Sequence, residues 1–255
     1  MSPRPTSDLE RFSRGLMRNT ASSWLILAVY LTSALTQGAT ITVCPSGCDY
    51  SSIKAAIFAA SPEDVVSVQS GRYYDHLKID KMIELQGIDS GDGMPILDAT
   101  GRGSPVTVSA DGVVVEGLRL LNGGPDSAGI LVLSNDCVIR NNDASNNYVG
   151  IHLQGCKNCT VQGNAASGNL QFGLRLDDCS GNLIFENEMM KNFLGDAFDD
   201  GTNLWDDGTV GNRYGDFDDL EEGCIDEDGD GLCDSGREIP GGSSRDRFPL
   251  MSLDI

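Results

Sequence analysis

The chain has 255 residues, 31 of them Gly, with 40% apolar and only 6% aromatic side chains. That mixture supports a hydrophobic core and favours a turn-rich β protein over a helical bundle. It carries 38 Asp+Glu against 18 Lys+Arg, a net charge of −20, a field that repels phosphate backbones and anionic lipid and so excludes nucleic acid as a partner.

Residues 1–38 read as an export signal. Arg11, Arg14 and Arg18 precede an apolar run from Trp24 to Leu35. Thr36 and Gly38 are the small residues that precede a cut after Gly38, and Met17 is an alternative start. The run is shorter than the roughly 20 residues that a membrane span needs. This predicts a secreted or cell-surface protein that touches a membrane only through this segment, if it stays uncleaved. All eight Cys follow it, and an oxidising compartment favours pairing. Cys44–Cys48 in CPSGC and Cys224–Cys233 around an acidic loop read as local disulfides.

Residues 39–61 read as an N-terminal cap. Ser51 is the expected helix cap, and Ile53, Ala56, Ile57 and Ala60 recur at helical spacing. Strands DVVSV, HLKI and MIEL follow.

Residues 62–205 hold a repeat. Cys137–Cys156, Cys159–Cys179 and Asn182–Gly201 each open on an alternating strand (CVIRNN, CTVQGN, NLIFEN). Each then has two Asn five apart: Asn142/Asn147, Asn164/Asn169 and Asn187/Asn192. Each continues to a Gly that starts a second strand: Gly150, Gly173, Gly195. A period of 22–23 residues with such short strands predicts one turn of a parallel β-helix. Stacking buries the apolar face that a single turn exposes, and Asn at equivalent corners forms amide ladders. Six or seven turns are expected. In this register Cys137 stacks on Cys159 and Cys156 on Cys179. They read as small apolar fillers, with a Cys156–Cys179 bond left open.

The stretch CPSGCDYSSIKAAIFAASPEDVVSVQSGRYYDHLKIDKMIELQGID and the tail GTNLWDDGTVGNRYGDF…IPGGSSRDRFPL resemble NosD-type right-handed parallel β-helix proteins. That group is similar to the pectin-lyase-like superfamily of carbohydrate-binding and sugar-cleaving chains. The resemblance covers about residues 40–250 and implies an all-β right-handed parallel β-helix. It implies activity poorly, because a fold hosts many functions.

Residues 206–255 read as an irregular acidic C-terminal cap. Its segment Asp226–Asp234 follows D-x-D-x-D-G-x-x-D. Asp226, Asp228, Asp230 and Asp234 offer carboxylates, and Leu232 a backbone carbonyl, in the spacing of a calcium loop. Calcium is the predicted cofactor. Position 12 is Arg237 where an EF-hand has Glu, so the loop is a variant.

Aligning the turns on their Gly places Gln154, Asp177 and Asp199 in one outward column, with Asp178 and Asp200 beside it and His152 and Arg175 in a neighbouring column. Paired carboxylates suit glycoside hydrolysis, and an Arg near calcium suits a polysaccharide lyase. Asp177, Asp199, Asp200 and Arg175 are therefore the catalytic set of the enzyme reading. The turns are short and wall no cleft, so the preferred reading is non-catalytic: an exported module that binds an extracellular polysaccharide or glycan, or builds an envelope layer with cell-envelope components. A copper-related role, drawn from the family resemblance, is opposed by two isolated His and no His/Met cluster.

Overall fold

The computed structural model describes residues 38–251, so all of the export segment at 1–38 except Gly38 lies outside the described residues. The strands coil into a parallel β-helix with three faces. The first face has eight strands, from Thr40–Val43 to Thr202–Leu204, about one turn more than the repeat predicts. The second has six, from Leu77–Ile79 to Gly195–Asp199. Short strands and single bridges make the third. All but one of the paired strands run parallel; Arg237–Glu238 and Arg245–Asp246 form an antiparallel hairpin in the C-terminal cap.

Alternation sends every second side chain inward, and parallel stacking puts like on like. On the first face Val66, Leu85, Val115, Ile139, Val161 and Ile184 form one interior column, all fully buried. On the second, Ile79, Val108, Val132, Leu153 and Leu176 form another. Each such side chain contributes about 1.5–3 kcal/mol by leaving water. No single turn can bury these faces alone, which is why the repeat folds only as a stack.

Three amide ladders tie the corners. In the first, Asn142 Nδ2 donates to Asn164 Oδ1 (3.1 Å), Asn164 to Asn187 (2.9 Å) and Asn187 to Asn212 (2.8 Å). The second runs Asn147, Asn169, Asn192, and the third Asn182, Asn203. Gly150 serves the second ladder: a Cβ there would lie 2.8 Å from Asn169 Nδ2.

Every ladder ends on a buried aspartate. Asn212 donates its backbone N–H (2.7 Å) and its Nδ2 (3.2 Å) to Asp246 Oδ2. Asn192 Nδ2 donates to Asp196 Oδ1 (2.7 Å), and Asn203 Nδ2 to Asp199 Oδ1 (2.9 Å). An amide at the end of such a row still has donors to satisfy. A carboxylate, which only accepts, closes the row.

The N-terminal cap is a helix over Ile53–Ala59 that buries Ile53, Ala56 and Ile57. Its N-cap is Ser52, whose hydroxyl accepts from Ala55 N, one residue after the expected Ser51. Cys44–Cys48 and Cys224–Cys233 are disulfides. Cys137, Cys156, Cys159 and Cys179 are buried free thiols, so the Cys156–Cys179 alternative is not realised. No helix among the described residues is long and apolar enough to cross a membrane.

Candidate functional site

The outward row of the second face carries the main polar cluster. Its register runs Lys78, Thr107, Leu131, His152, Arg175, Phe198, and Gln154 pairs with Asp177 beside it. Asp177 is the hub. Its Oδ2 lies 2.7 Å from His152 Nε2, and Arg175 Nε donates to both of its oxygens at 3.0 and 2.9 Å. The Arg175 guanidinium lies over two aromatic rings, 5.9 Å from the centroid of Phe172 and 5.4 Å from that of Phe198, whose own centroids are 5.4 Å apart. A shallow hollow of about 210 Å3 adjoins the cluster between Asp126, Tyr148, Gln171, His152 and Arg175. There Gln171 Nε2 donates to Tyr148 Oη at 2.7 Å.

Burial pushes the His152 imidazolium to a lower pKa, the Asp177 carboxylate opposes the shift, and the nearby Arg175 charge adds to it. The ring is therefore neutral at neutral pH, with its Nε2–H donated to Asp177. The side chains of His152 and Asp177 are 18% and 17% exposed. The cluster is thus half-sheltered, and it presents hydrogen-bonding groups beside an aromatic face.

The structure brings together Asp177 and Arg175 of the expected catalytic set, sets Asp200 one turn on beside Asp177, and turns Asp199 away from them. Strand Phe172–Asp177 pairs with Gly195–Asp199 at a step of 23 residues, Leu176 opposite Asp199. The Gly-to-Gly alignment used 22, which is one residue out and so reverses the face of each side chain. Asp199 therefore points inward below Leu176, fully buried. Its oxygens accept from Gly201 N, Asn203 Nδ2 and Trp205 Nε1 at 2.8–2.9 Å. Asp200 is exposed, and its Oδ1 accepts from Asp178 N at 2.7 Å. Both oxygens of Asp177 are engaged by His152 and Arg175, so the neighbouring Asp177 and Asp200 are not the pair of free carboxylates that glycoside hydrolysis needs. Sequence reasoning missed the aromatic partners Phe172 and Phe198, because the same one-residue error moved Phe198 out of Arg175's column.

In the C-terminal cap, carboxylate oxygens of Asp226, Asp228 and Asp230 lie within 4.8 Å of one another. Asp226 accepts backbone N–H groups from Gly229, Asp230 and Gly231, which hold its carboxyl below the usual carboxylate range. Asp234 is turned to Glu227 N, at 2.7 Å, and Leu232 N donates to Asp230 Oδ1. Asp218, Asp219 and Glu222 form a second acidic group that the sequence did not single out.

Residues 96–218 match the family model described as "Periplasmic copper-binding protein (NosD)". The middle of this parallel β-helix is thus similar to the NosD family. Among solved structures it is similar to the pectin methylesterase from Aspergillus niger in deglycosylated form, at 17% identity over 68% of each chain and a TM-score of 0.36. No curated protein sequence matches. The two disulfides and the likeness to a family described as periplasmic both suit an exported β-helix protein.

The donors available do not fit the copper of the family description. Copper needs converging imidazole or sulfur ligands. His76 Nδ1 is tied to Ser104 O at 3.2 Å and His152 to Asp177. The four free thiols are buried in the coil. Among the described residues no Cys or His joins a group of three or more converging ligand atoms.

Proposed function

We propose that this exported coil is a carbohydrate-binding module and that the outward row of its second face is the binding surface. One observation carries the reading: Arg175 lies across Phe172 and Phe198 while Asp177 fixes its guanidinium. Sugars are recognised by hydrogen-bonding groups set beside an apolar ring face, and here both are held on rigid strands, so little order is lost on binding. The open face suits an extended chain of sugar units. The carboxylate pair of a hydrolase is not what the cluster offers, so the non-catalytic reading is preferred to the lyase or hydrolase one. In the same reading the Asp226–Asp230 loop holds calcium and orders the C-terminal cap. Its support is the convergence of three carboxylates, which repel one another without a cation.

Binding to a glycan array is the test. Arg175→Ala is expected to lose at least about tenfold in affinity, roughly 1.4 kcal/mol, with an unchanged melting curve. Equal binding by wild type and Arg175→Ala, or cleavage of a polysaccharide that stops in Asp177→Asn, would overturn the reading.

A further inference from the structure

The N-terminal end carries a second feature that glycan binding on the second face does not use. A groove of about 1040 Å3 runs between the capping helix and the strand Leu77–Ile79. Tyr50, Ile57 and Phe58 line it with apolar surface, and Phe58 is 87% exposed. The chain has five lysines, Lys54, Lys78, Lys81, Lys157 and Lys191. Three of them, Lys54, Lys78 and Lys81, line this groove, with Asp80 as the one acid among its lining residues. Lys81 Nζ donates to Phe58 O and Ala60 O (3.2 and 2.8 Å) and so fastens the end of the helix. Lys54 and Lys78 are exposed.

The opposite end has the complementary composition. From Asp196 to Asp234 the sequence holds many acids and one base, Arg213. Within it, Asp219, Glu221 and Glu222 are exposed and flank Leu220, itself 67% exposed. A lone acidic patch is ordinary. An exposed Leu set among acids at one end, and an exposed Phe set among lysines at the other, is a matched pair.

We propose that the basic groove of one copy receives the Asp219–Glu222 segment of a second copy, so that copies associate head to tail. Lys54 and Lys78 face Asp219, Glu221 and Glu222, and Leu220 covers Phe58. The two patches are different, so the contact is heterologous and repeats without closing on itself. The overall negative charge opposes approach at long range. At physiological salt that repulsion is screened over about 8 Å, whereas the paired charges and the apolar contact act at touching distance. An acidic glycan meets the charge requirement too, but the chain's own segment meets both the charge and the apolar requirement.

Sedimentation velocity of the purified protein, across a concentration series at physiological and high salt with chelator present, tests this. The expected result is a mass that rises with concentration at physiological salt and falls back to monomer at high salt. Lys54→Glu with Lys78→Glu should abolish the rise, as should Asp219→Lys with Glu221→Lys and Glu222→Lys. An equimolar mixture of the two charge-reversed proteins should restore it, because each then offers the end that the other lacks. Circular dichroism and melting curves establish that both are folded; Lys54→Gln with Lys78→Gln replaces the first variant if it is not. Arg175→Ala should associate like wild type, which separates this proposal from the glycan reading. A monomer under all conditions, association that survives both reversals, or a mixture that stays monomeric would overturn it. So would heparin binding that depends on Lys54 and Lys78 without self-association, which would give the groove to an anionic glycan.

Discussion

The two ends of the coil are closed by opposite means. At the N-terminal end an apolar helix covers the first turn with Ile53, Ala56 and Ile57. The amide ladders begin farther along, in the middle of the coil, and without special residues, because backbone N–H groups of Leu118, Gly123 and Cys159 feed the first oxygens of Asn142, Asn147 and Asn182. At the C-terminal end each ladder meets a carboxylate, Asp246, Asp196 or Asp199. The difference teaches that a ladder has direction. From one Asn to the next, the backbone N–H, joined by Nδ2 in all but Asn147, donates to the Oδ1 one turn nearer the C-terminal end, so each row is left with donors to satisfy at that end. A backbone N–H can start such a row, and a group with accepting oxygens finishes it, a carboxylate most fully because it brings no donor of its own.

The largest expected effect comes from removing a finishing group. Asp199→Ala strands the donors of Gly201, Asn203 and Trp205 in a dry interior, and a loss of about 3–5 kcal/mol in urea unfolding is expected. A loss below about 1 kcal/mol would mean that the ladders do not depend on their terminators. Next comes a finishing group placed in the middle. Asn164→Asp cannot donate to Asn187 Oδ1 and sets acceptor against acceptor, so a cost of about 3 kcal/mol is expected. A variant as stable as wild type would show that the row has no direction.

The third effect is on pH dependence. Burial pushes the Asp246 carboxyl up to about 6, although Asn212, Phe248 and Tyr214 donate to it. The guanidinium of Arg237 faces the same corner across the Tyr214 ring, 4.2 Å from its centroid. The raised native value means that the folded chain holds a proton which the unfolded chain releases near pH 4. Asp246 therefore supports folding most below about pH 4 and loses about 2–3 kcal/mol of that support as pH rises through 6. Asp246→Asn should flatten this part of the stability–pH curve relative to wild type; identical slopes would refute the assignment. The smallest effect is expected at the acidic loop. Chelator should lower the melting temperature by a few degrees through loss of bound calcium, and Asp228→Ala should remove that response. An unshifted wild-type curve would remove calcium from the account.

The coil itself was legible from sequence because its signal is periodic. Asn142, Asn164 and Asn187 recur at one step per turn, and they do hydrogen-bond in a row. The finishing acids were not legible, because none keeps that step: Asp196 and Asp199 lie only four residues from the amides they serve, and Asp246 lies 34 beyond Asn212. The site was half legible. Alternation put His152 and Arg175 outward and in register, but Gly195 fixed the wrong step for the last repeat. Its true counterpart is Phe172, while Asp196 occupies the position of Gly173. A sequence pattern anchored on one residue type fails where the last turn exchanges that residue for the group that ends the ladder.

Because donors run one way and the carboxylates stand only at the far end, a molecule of this design can lengthen solely from within. A duplicated middle turn brings its own amides and leaves both closures intact. A turn appended beyond Asp246 would meet a surface that offers no hydrogens. Relatives of different length should therefore differ in the number of their central turns and keep their last one.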